Sequence, residues 1–416
     1  MSEPTILLAT VGSAGDIRPM MAIGSALQQQ GHRVKMVANA HFAPAVDAAG
    51  LSFEALGDEA AYERLLADAN LWDPRRAFKV LVDHVVTPNV RAFYDLIARH
   101  DPAQTLVVAT GMLFGAAIAH EKLRVPYATI HLQPVGFRSL ADPPILGGFA
   151  IPDWWPRRLR SLFFRMLDTL LVDREIGRVV NPVRRDLGLP SAGGFMGARF
   201  HAPQLTLGLF PAWYAPPQPD WPPQTRLTGF VDQPQSSDQL AADLESFLDA
   251  GDPPLVFTAG TSMQHGRAFF AAAVAAAGLL GRRAILATQY IRQLPEDLPE
   301  GIFHAAYAPF RRLLPRTAAI VHHGGIGTVA AALSAGIPQL VMPLSHDQPD
   351  NARRLERLGV GATLLPKQFI GGRVAQVLEE LLENPAVQGR AAALAPRVDY
   401  AAALDETCAA LEQLLP

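Results

Sequence analysis

The stretch that most constrains the fold is residues 318–361, where an apolar run, a glycine-rich turn and an alanine-rich run follow one another. Residues 318–321 are short, apolar and bounded by turn residues, which is typical of a buried strand in a parallel sheet. Residues 329–335 have helical composition and are closed by Gly336, a common helix end. The order of strand, tight turn and helix predicts an α/β domain with a parallel sheet.

The turn between these elements has the composition of an anion site. The first N–H groups of a helix have no partner inside it, and the helix dipole places partial positive charge there. Glycines let a phosphate approach the backbone, and His322 can donate to a phosphate oxygen, whereas His323 is ambiguous because adjacent strand side chains point opposite ways. The residues predicted to bind the anion are His322, Gly324, Gly325, Gly327 and Thr328.

A second predicted strand, residues 339–342, is soon followed by Asp347 and Gln348. Ligands of a parallel sheet bind beyond the carboxyl ends of its strands, so we expect this pair to lie near the glycine-rich turn. A carboxylate and an amide together offer acceptors and a donor to vicinal hydroxyls, which predicts a sugar site. Helix capping is the alternative role.

The chain opens with another unit of the same kind. Residues 5–11 predict a strand, residues 18–30 a helix and residues 33–38 a second strand. A dinucleotide site would require a Gly-x-Gly-x-x-Gly turn and an acid at the end of the second strand. The glycine spacing differs and the second strand ends in Asn39, so a nicotinamide-dependent enzyme is the weaker hypothesis.

Asp16 lies just past the first predicted strand, where a helix starts. One interpretation is an N-terminal helix cap, which aspartate favours. The other is a general base facing a crevice. A partly dry cleft would raise the pKa of this carboxyl group and make it a better base at neutral pH.

Length and composition exclude several functional classes. The chain has 416 residues, of which 49% are hydrophobic, which suffices for two domains with cores of their own. A net charge of −3 gives no electrostatic basis for nucleic-acid binding. One cysteine, Cys408, excludes an internal disulfide and a cysteine-based metal cluster, and no His-Glu-x-x-His pattern occurs. The N-terminal residues lack the basic and apolar regions of a signal peptide, so a cytoplasmic location is expected.

The His-x-Gly turn, the small-residue helix, Pro343 and the Asp347–Gln348 pair together resemble the nucleotide-sugar signature of the UDP-glycosyltransferase (GT1) family. Within that family the chain resembles the bacterial branch that acts on lipids, carotenoids and natural products. Its similarity, which includes residues 210–213, extends to rhamnosyltransferases of glycolipid synthesis.

The resemblance implies the GT-B fold, with two facing doubly wound, Rossmann-like α/β domains and a cleft between them. Residues 1–231 would form the acceptor-binding domain and residues 239–396 the donor-binding domain. Residues 397–416 would contain a C-terminal helix that packs back on the first domain.

The implied reaction is an inverting transfer of a sugar, such as glucose or rhamnose, from a UDP- or dTDP-linked donor to a hydroxyl of an apolar or lipid-like acceptor. Asp16 would stand where plant relatives carry a catalytic histidine, and the nucleotide sugar would act as co-substrate with no cofactor or metal. The implied donor-binding residues are Thr261, Ser262, Tyr307, His322, Gly324, Gly325, Gly327, Thr328, Asp347 and Gln348.

Residues 134–171 combine aromatic and aliphatic side chains with arginines. A loop followed by an amphipathic helix can line an apolar acceptor channel or contact a membrane surface, and ordinary core packing is the alternative. Because loops of the N-terminal domain bind the acceptor in the resembled family, Phe137, Ile145 and Phe149 are assigned to the acceptor site. A peripheral position at the inner face of the membrane stays open.

Two other functions remain open at this point. A GT-B-fold sugar epimerase would bind the same donor but would need acid and base groups around the sugar, and the Asp347–Gln348 pair favours transfer instead. The presence of both Asp16 and His322 argues against a non-catalytic nucleotide-sugar binder.

Overall fold

The computed structural model describes residues 4–232, 239–261, 263–264 and 266–416. The chain divides into two compact units, which we call unit 1 (Met1–Gln233 with Tyr400–Pro416) and unit 2 (Pro234–Asp399). Ser262, one of the predicted donor-binding residues, lies outside the described residues. None of the described helices has both the length and the apolar character that a bilayer-spanning segment requires.

Each unit contains one parallel sheet. The strands of unit 1 are β1 (Thr5–Ala9), β2 (Arg33–Ala38), β3 (Ser52–Ala55), β4 (Thr105–Thr110), β5 (Tyr127–His131), β6 (Leu205–Gly208) and β7 (Thr225–Leu227). Those of unit 2 are β8 (Leu255–Thr258), β9 (Ala284–Ala287), β10 (Ile302–Ala305), β11 (Ala319–His322), β12 (Gln339–Val341) and β13 (Gly361–Thr363). Within the described chain, their orders are β3-β2-β1-β4-β5-β6-β7 and β10-β9-β8-β11-β12-β13.

Helices connect the strands. In chain order they are α1 (Ala14–Gln29), α2 (Ala43–Ala48), α3 (Glu59–Ala67), α4 (Ala77–Leu81), α5 (Thr87–Ala98), α6 (Phe114–Leu123), α7 (Arg157–Leu167), α8 (Asp173–Asp186), α9 (Ala242–Asp249), α10 (Arg267–Leu279), α11 (Phe310–Leu313), α12 (Ile326–Ala335), α13 (Gln348–Leu358), α14 (Gly371–Glu383), α15 (Pro385–Leu394) and α16 (Tyr400–Glu412). Single π-helical turns, Val82–Val86 and Asp168–Val172, join α4 to α5 and α7 to α8.

The central strands are apolar throughout because helical crossovers cover both faces of a parallel sheet. All five residues of β5 are buried, as are all four of β8 and β11. In unit 1 the core continues from β1 and β4 into the helices packed on them. The predicted doubly wound α/β architecture is therefore confirmed for both units.

The strand order of each sheet reverses once. In unit 1 the reversal lies between β1 and β4, and in unit 2 it lies between β8 and β11. Doubly wound sheets bind ligands at this point, in the crevice outside the carboxyl ends of the strands, because the connecting loops diverge there. The turn after β1 carries Asp16, and the turn after β11 carries the glycine-rich sequence, so the topology places both predicted sites where such folds bind ligands.

The first helix begins at Ala14, four residues before the predicted start at residue 18. Ser13 is its N-cap, and Asp16 closes a reciprocal capping box with it. The cap therefore belongs to Ser13, and Asp16 occupies the third helical position.

The C-terminal helix α16 belongs to unit 1 and packs against α1. The Thr407 hydroxyl lies 2.7 Å from that of Thr228, and His32 Nε2 lies 2.7 Å from Glu412 Oε1. The last residues of the chain are thus fixed to a unit whose other residues come more than 160 positions earlier.

Candidate functional site

Asp16 is held by a compact set of contacts. Its Oδ2 accepts hydrogen bonds from the Ser13 backbone N–H (2.7 Å) and from Ser13 Oγ (3.1 Å). Gly12 has φ +126°, and a Cβ there would lie 2.3 Å from Oδ2, so only glycine leaves room for this carboxylate. Both hydrogen bonds end on Oδ2, so neither of them uses the lone pairs of Oδ1.

Burial raises the pKa of Asp16 to about 6, and the hydrogen bonds from Ser13 oppose part of this rise. The group is therefore mostly ionised at pH 7, yet it is a far stronger base than an ordinary carboxylate. The sequence predicted both the position and the direction of this shift. It did not predict that Ser13 would restrain it.

An apolar cluster covers the ends of β1 and β4 in unit 1. Val11 and Met112 follow these strands and pack against a cluster of buried side chains from residues 65–85, with the half-buried Trp72 beside it. Sequence reasoning missed this surface because no motif marks it. The apolar spacing of α3 and α4 was the available signal, and it indicates only that these helices pack on something.

Of the three predicted acceptor residues, Phe137 is the one that the structure buries. It is only 2% exposed, and its ring packs against those of His201 (centroids 5.3 Å apart) and Trp221 (4.7 Å). A tight 3-10 turn, Pro134–Gly136, directs it into the core of unit 1. Ile145 is half-buried and Phe149 is exposed, so neither is sequestered in the core.

His322 is also placed differently from the prediction. It is 0% exposed, its Nε2 lies 3.0 Å from Gln339 Oε1, and its Nδ1 accepts the Gly324 backbone N–H at 3.1 Å. Burial lowers its pKa to about 3, so the ring is neutral with the proton on Nε2. Both ring nitrogens therefore serve the sheet and the turn, and His322 has no donor left for a phosphate.

His323, which the sequence left ambiguous, faces the glycine-rich turn. Added Cβ atoms at Gly260 and Gly325 would lie 2.6 Å and 2.5 Å from its ring, so the imidazole packs directly against the backbone at these two glycines. Burial lowers the pKa of His323 to about 4, which keeps the ring neutral. Its Nδ1 is a buried polar atom with no hydrogen-bond partner among the described residues. Such an atom is destabilising unless a ligand satisfies it.

The start of α12 lies beside this ring. Its N-cap, Gly325, makes no side-chain capping bond, so the N–H groups of the first turn, which includes Gly327 and Thr328, are left to other acceptors. Gly324 has φ +96°, and a Cβ there would lie 2.9 Å from Val341 and 3.1 Å from the Gln348 carbonyl oxygen. The structure thus brings the predicted glycines together in one exposed-backbone turn.

Asp347 and Gln348 follow β12 and open α13, as expected. Gln348 is buried, and its Oε1 accepts the backbone N–H groups of Leu344 (2.8 Å) and Ser345 (3.2 Å). The carbonyl half of this amide therefore shapes its own turn, and only the NH₂ half is suited to a sugar hydroxyl. Asp347 is half-buried, and His346 before it has φ +60°, an unusual conformation for a side-chain-bearing residue.

Asn351 joins the two turns, a role that the sequence did not reveal. Its Nδ2 donates to the Gly324 carbonyl (2.9 Å) and to Asp347 Oδ2 (2.7 Å). The carboxylate of Asp347 is thereby oriented by the turn that follows β11. Because Asn351 is fully buried, this orientation is rigid.

The other predicted donor residues lie at the same end of the sheet. Thr261 is exposed in the turn after β8, where its carbonyl accepts a hydrogen bond from Tyr290 Oη at 3.2 Å. Tyr307 follows β10 at the edge of the sheet and is 50% exposed. Among the described residues, no group of three or more His, Cys, Asp or Glu is arranged to hold a metal ion.

Replacement of Gly325 by alanine tests the contact with His323. The new Cβ would lie 2.5 Å from Nε2, and φ −63° at this position excludes backbone strain as a second cause. We expect nucleotide affinity to fall by about tenfold, equivalent to about 1.4 kcal/mol. Isothermal titration calorimetry measures this affinity. Gly278→Ala is the control, because no atom lies within 4 Å of its Cβ. Equal affinity of the two variants would contradict this role of the ring.

Comparison with known proteins of similar sequence and structure identifies the fold and the enzyme class. Residues 6–139 match the glycosyltransferase family 28 N-terminal domain. Residues 274–412 match the erythromycin biosynthesis protein CIII-like C-terminal domain. The chain is 29% identical to O-mycaminosyltylonolide 6-deoxyallosyltransferase of Streptomyces fradiae, over 98% of this chain and 97% of that one.

Two further proteins are similar over most of this chain. Sterol 3-beta-glucosyltransferase of Leptosphaeria maculans is 28% identical over 87% of this chain and 26% of its own length. The spinosyn rhamnosyltransferase, solved with thymidine diphosphate, superposes with a TM-score of 0.68 at 20% identity, over 97% of this chain and 99% of that one. Such a likeness confirms the predicted GT-B fold. The chain is a glycosyltransferase and belongs to the bacterial branch of the UDP-glycosyltransferase (GT1) family.

Proposed function

We propose that this glycosyltransferase moves a sugar from a nucleoside-diphosphate donor to a hydroxyl of an apolar small-molecule acceptor, with inversion at the anomeric carbon. The observation that carries the donor half is the unsatisfied, neutral His323 beside the uncapped start of α12. A diphosphate would accept the ring N–H and the free backbone N–H groups at once. His323 replaces His322 in this role.

Asp16 serves as the general base in this proposal. As Asp16 takes the proton of the acceptor hydroxyl, the acceptor oxygen forms a bond to the anomeric carbon. The bond from that carbon to the diphosphate breaks at the same time, and the diphosphate leaves with the electron pair. A single displacement of this kind inverts the configuration. A base with a pKa of about 6 accepts the proton more readily than an ordinary carboxylate does.

The groups of unit 2 stabilise the charge that develops on the leaving diphosphate. The helix start and His323 are fixed before the reaction, so they need no rearrangement as charge accumulates. In this proposal Asp347, which Asn351 orients, and the Gln348 amide nitrogen bind the sugar hydroxyls. Tyr307, which is half exposed, stacks on the base. We expect the reaction to need no metal ion, so excess EDTA should leave the rate unchanged.

The acceptor side is proposed to be apolar. Val11 and Met112 follow β1 and β4 and pack, with Trp72, on an apolar cluster at the strand ends where the turn that carries Asp16 also starts. An apolar surface of this kind suits a hydrocarbon framework better than a polar one. The similarity to a sterol glucosyltransferase supports the same class of acceptor. The resemblance to rhamnosyltransferases of glycolipid synthesis stays a prediction.

A thermal-shift panel of UDP, dTDP, GDP and NAD tests the donor half. A nucleotide present at 100 times its Kd should add about 2.7 kcal/mol to the free energy of unfolding. We expect dTDP to give the largest shift, because a similar rhamnosyltransferase was solved with thymidine diphosphate. A shift with NAD alone, or with no nucleotide, would contradict the proposal. Recovery of an epimerised donor without transfer would support the epimerase instead. A donor that binds without turnover would support the non-catalytic nucleotide-sugar binder.

A further inference from the structure

One face of α7 and of the π-helical turn after it is apolar and open to solvent. It consists of Leu159, Leu162, Met166 and Leu170, all exposed. Trp154, at the start of this segment, is 79% exposed. Their spacing of three and four residues places the four aliphatic side chains on one side of the helix. We call these five residues the α7 apolar face.

This face is held rigidly by its opposite side. Phe164 is buried in unit 1. Arg160 is also buried, and its guanidinium donates to the carbonyls of Trp155 (2.9 Å), Leu140 (2.9 Å) and Asp153 (2.6 Å). These bonds tie the start of α7 to the loop that carries Trp154. The exposure of the apolar side chains is therefore part of the packed structure of the unit.

Arginines flank the α7 apolar face. Arg158, Arg165 and Arg174 are exposed, and no described residue forms an ion pair with any of them. The acids nearby are mostly engaged. Asp168 pairs with Arg138, and Asp173 accepts the backbone N–H groups of Gly194 and Phe195. Asp153, next to Trp154, is exposed as well, so the three arginines leave the charge beside the apolar stripe net positive.

We propose that unit 1 binds the surface of an anionic lipid bilayer through the α7 apolar face. A helix that lies in the interface buries its apolar side by about 5–10 Å, while basic side chains beside it meet anionic headgroups. Tryptophan favours the same boundary, because it has an apolar ring and a polar N–H. A second copy of the chain is a poorer occupant, since a twofold interface would place these arginines against their own counterparts. The inference does not depend on the donor or on Asp16.

Co-sedimentation with vesicles tests the proposal. We expect the protein to bind phosphatidylcholine vesicles that contain phosphatidylglycerol, and to bind pure phosphatidylcholine vesicles much less. Arg158→Glu and Arg165→Glu should each weaken partitioning of the protein onto anionic vesicles by about fivefold or more, the equivalent of about 1 kcal/mol. The double variant Leu162→Ser/Met166→Ser should weaken it by about tenfold or more, because the buried apolar area falls.

Leu279→Ser is the control, since Leu279 is also an exposed apolar residue, 68% exposed, but lies on α10 in unit 2. Thermal unfolding of each variant without vesicles shows whether the fold is intact. The proposal is overturned if the native chain does not sediment with anionic vesicles, or if Leu279→Ser weakens binding as much as Leu162→Ser/Met166→Ser. Sedimentation velocity adds a further outcome: a dimer that the double variant dissolves would assign the face to a second copy of the chain.

Discussion

Replacing Asp16 by asparagine is expected to lower kcat for glycosyl transfer by about 10²–10⁴-fold, the usual contribution of a positioned general base. Asparagine keeps the shape of the side chain and can still accept the Ser13 N–H, but it cannot take a proton. Nucleotide affinity should stay unchanged, because the proposed nucleotide site consists of residues of unit 2. Steady-state kinetics and dTDP titration of the same preparation measure both quantities. Full activity of this variant would remove Asp16 from the mechanism.

The stability of the same variant is a second readout. Because the folded-state pKa of about 6 lies above the ordinary 3.8, ionisation of Asp16 destabilises the folded chain. This penalty is absent at low pH and grows as the pH rises from about 4 through 6. At pH 7 we therefore expect Asp16→Asn to unfold at the same or a higher temperature, with a gain of at most about 3 kcal/mol. If the variant were inactive and also less stable than the native chain, its inactivity could not be attributed to the loss of proton transfer.

The pH dependence of kcat/KM follows from the same group. The base must be unprotonated, so the rate should be constant above pH 6 and fall about tenfold per pH unit below it. Ser13→Ala removes the Oγ donor, which holds the pKa of Asp16 down. The acidic limb of this variant should therefore move to higher pH. A limb that stays in place would mean that another group controls the rate.

The pair His323→Ala and His322→Ala is expected to separate binding from stability. Loss of His323 removes a fixed donor to the diphosphate, which should lower kcat/KM by about 10²–10³-fold, as for other preorganised donors to developing charge. Its effect on unfolding should be small, because Nδ1 has no partner among the described residues. Loss of His322 leaves Gln339 and the Gly324 N–H unpaired, which destabilises by about 1–3 kcal/mol for each buried group.

Thermal unfolding and nucleotide titration distinguish the two variants. We expect His322→Ala to unfold at a clearly lower temperature, and His323→Ala to unfold near the native temperature but with weak dTDP binding. The reverse pattern, with His322→Ala stable and unable to bind nucleotide, would restore the prediction made from the sequence. His323→Gln, which retains an N–H donor, should recover part of the lost activity.

The local patterns of the sequence determined many of the strands, helix ends and turns of this protein. The strands Arg33–Ala38 and Thr105–Thr110 and the end of α12 at Gly336 follow from apolar runs and turn residues alone. The glycine-rich turn and the position of Asp16 follow in the same way, because a strand, a turn and a helix start are each specified by neighbouring residues. The GT1 resemblance rested on these same short stretches.

Only the tertiary structure showed which of two adjacent histidines is fully buried and which faces the glycine-rich turn. His322 is engaged by Gln339 on β12, and His323 is placed by Gly260 after β8, so the choice depends on strands that are distant in the sequence. The burial of Phe137 was not predicted for the same reason, since its partners His201 and Trp221 lie 64 and more residues away in the sequence. A pattern of residue types specifies which elements form. Which side chains remain available to a ligand depends on contacts that exist only after those elements have packed.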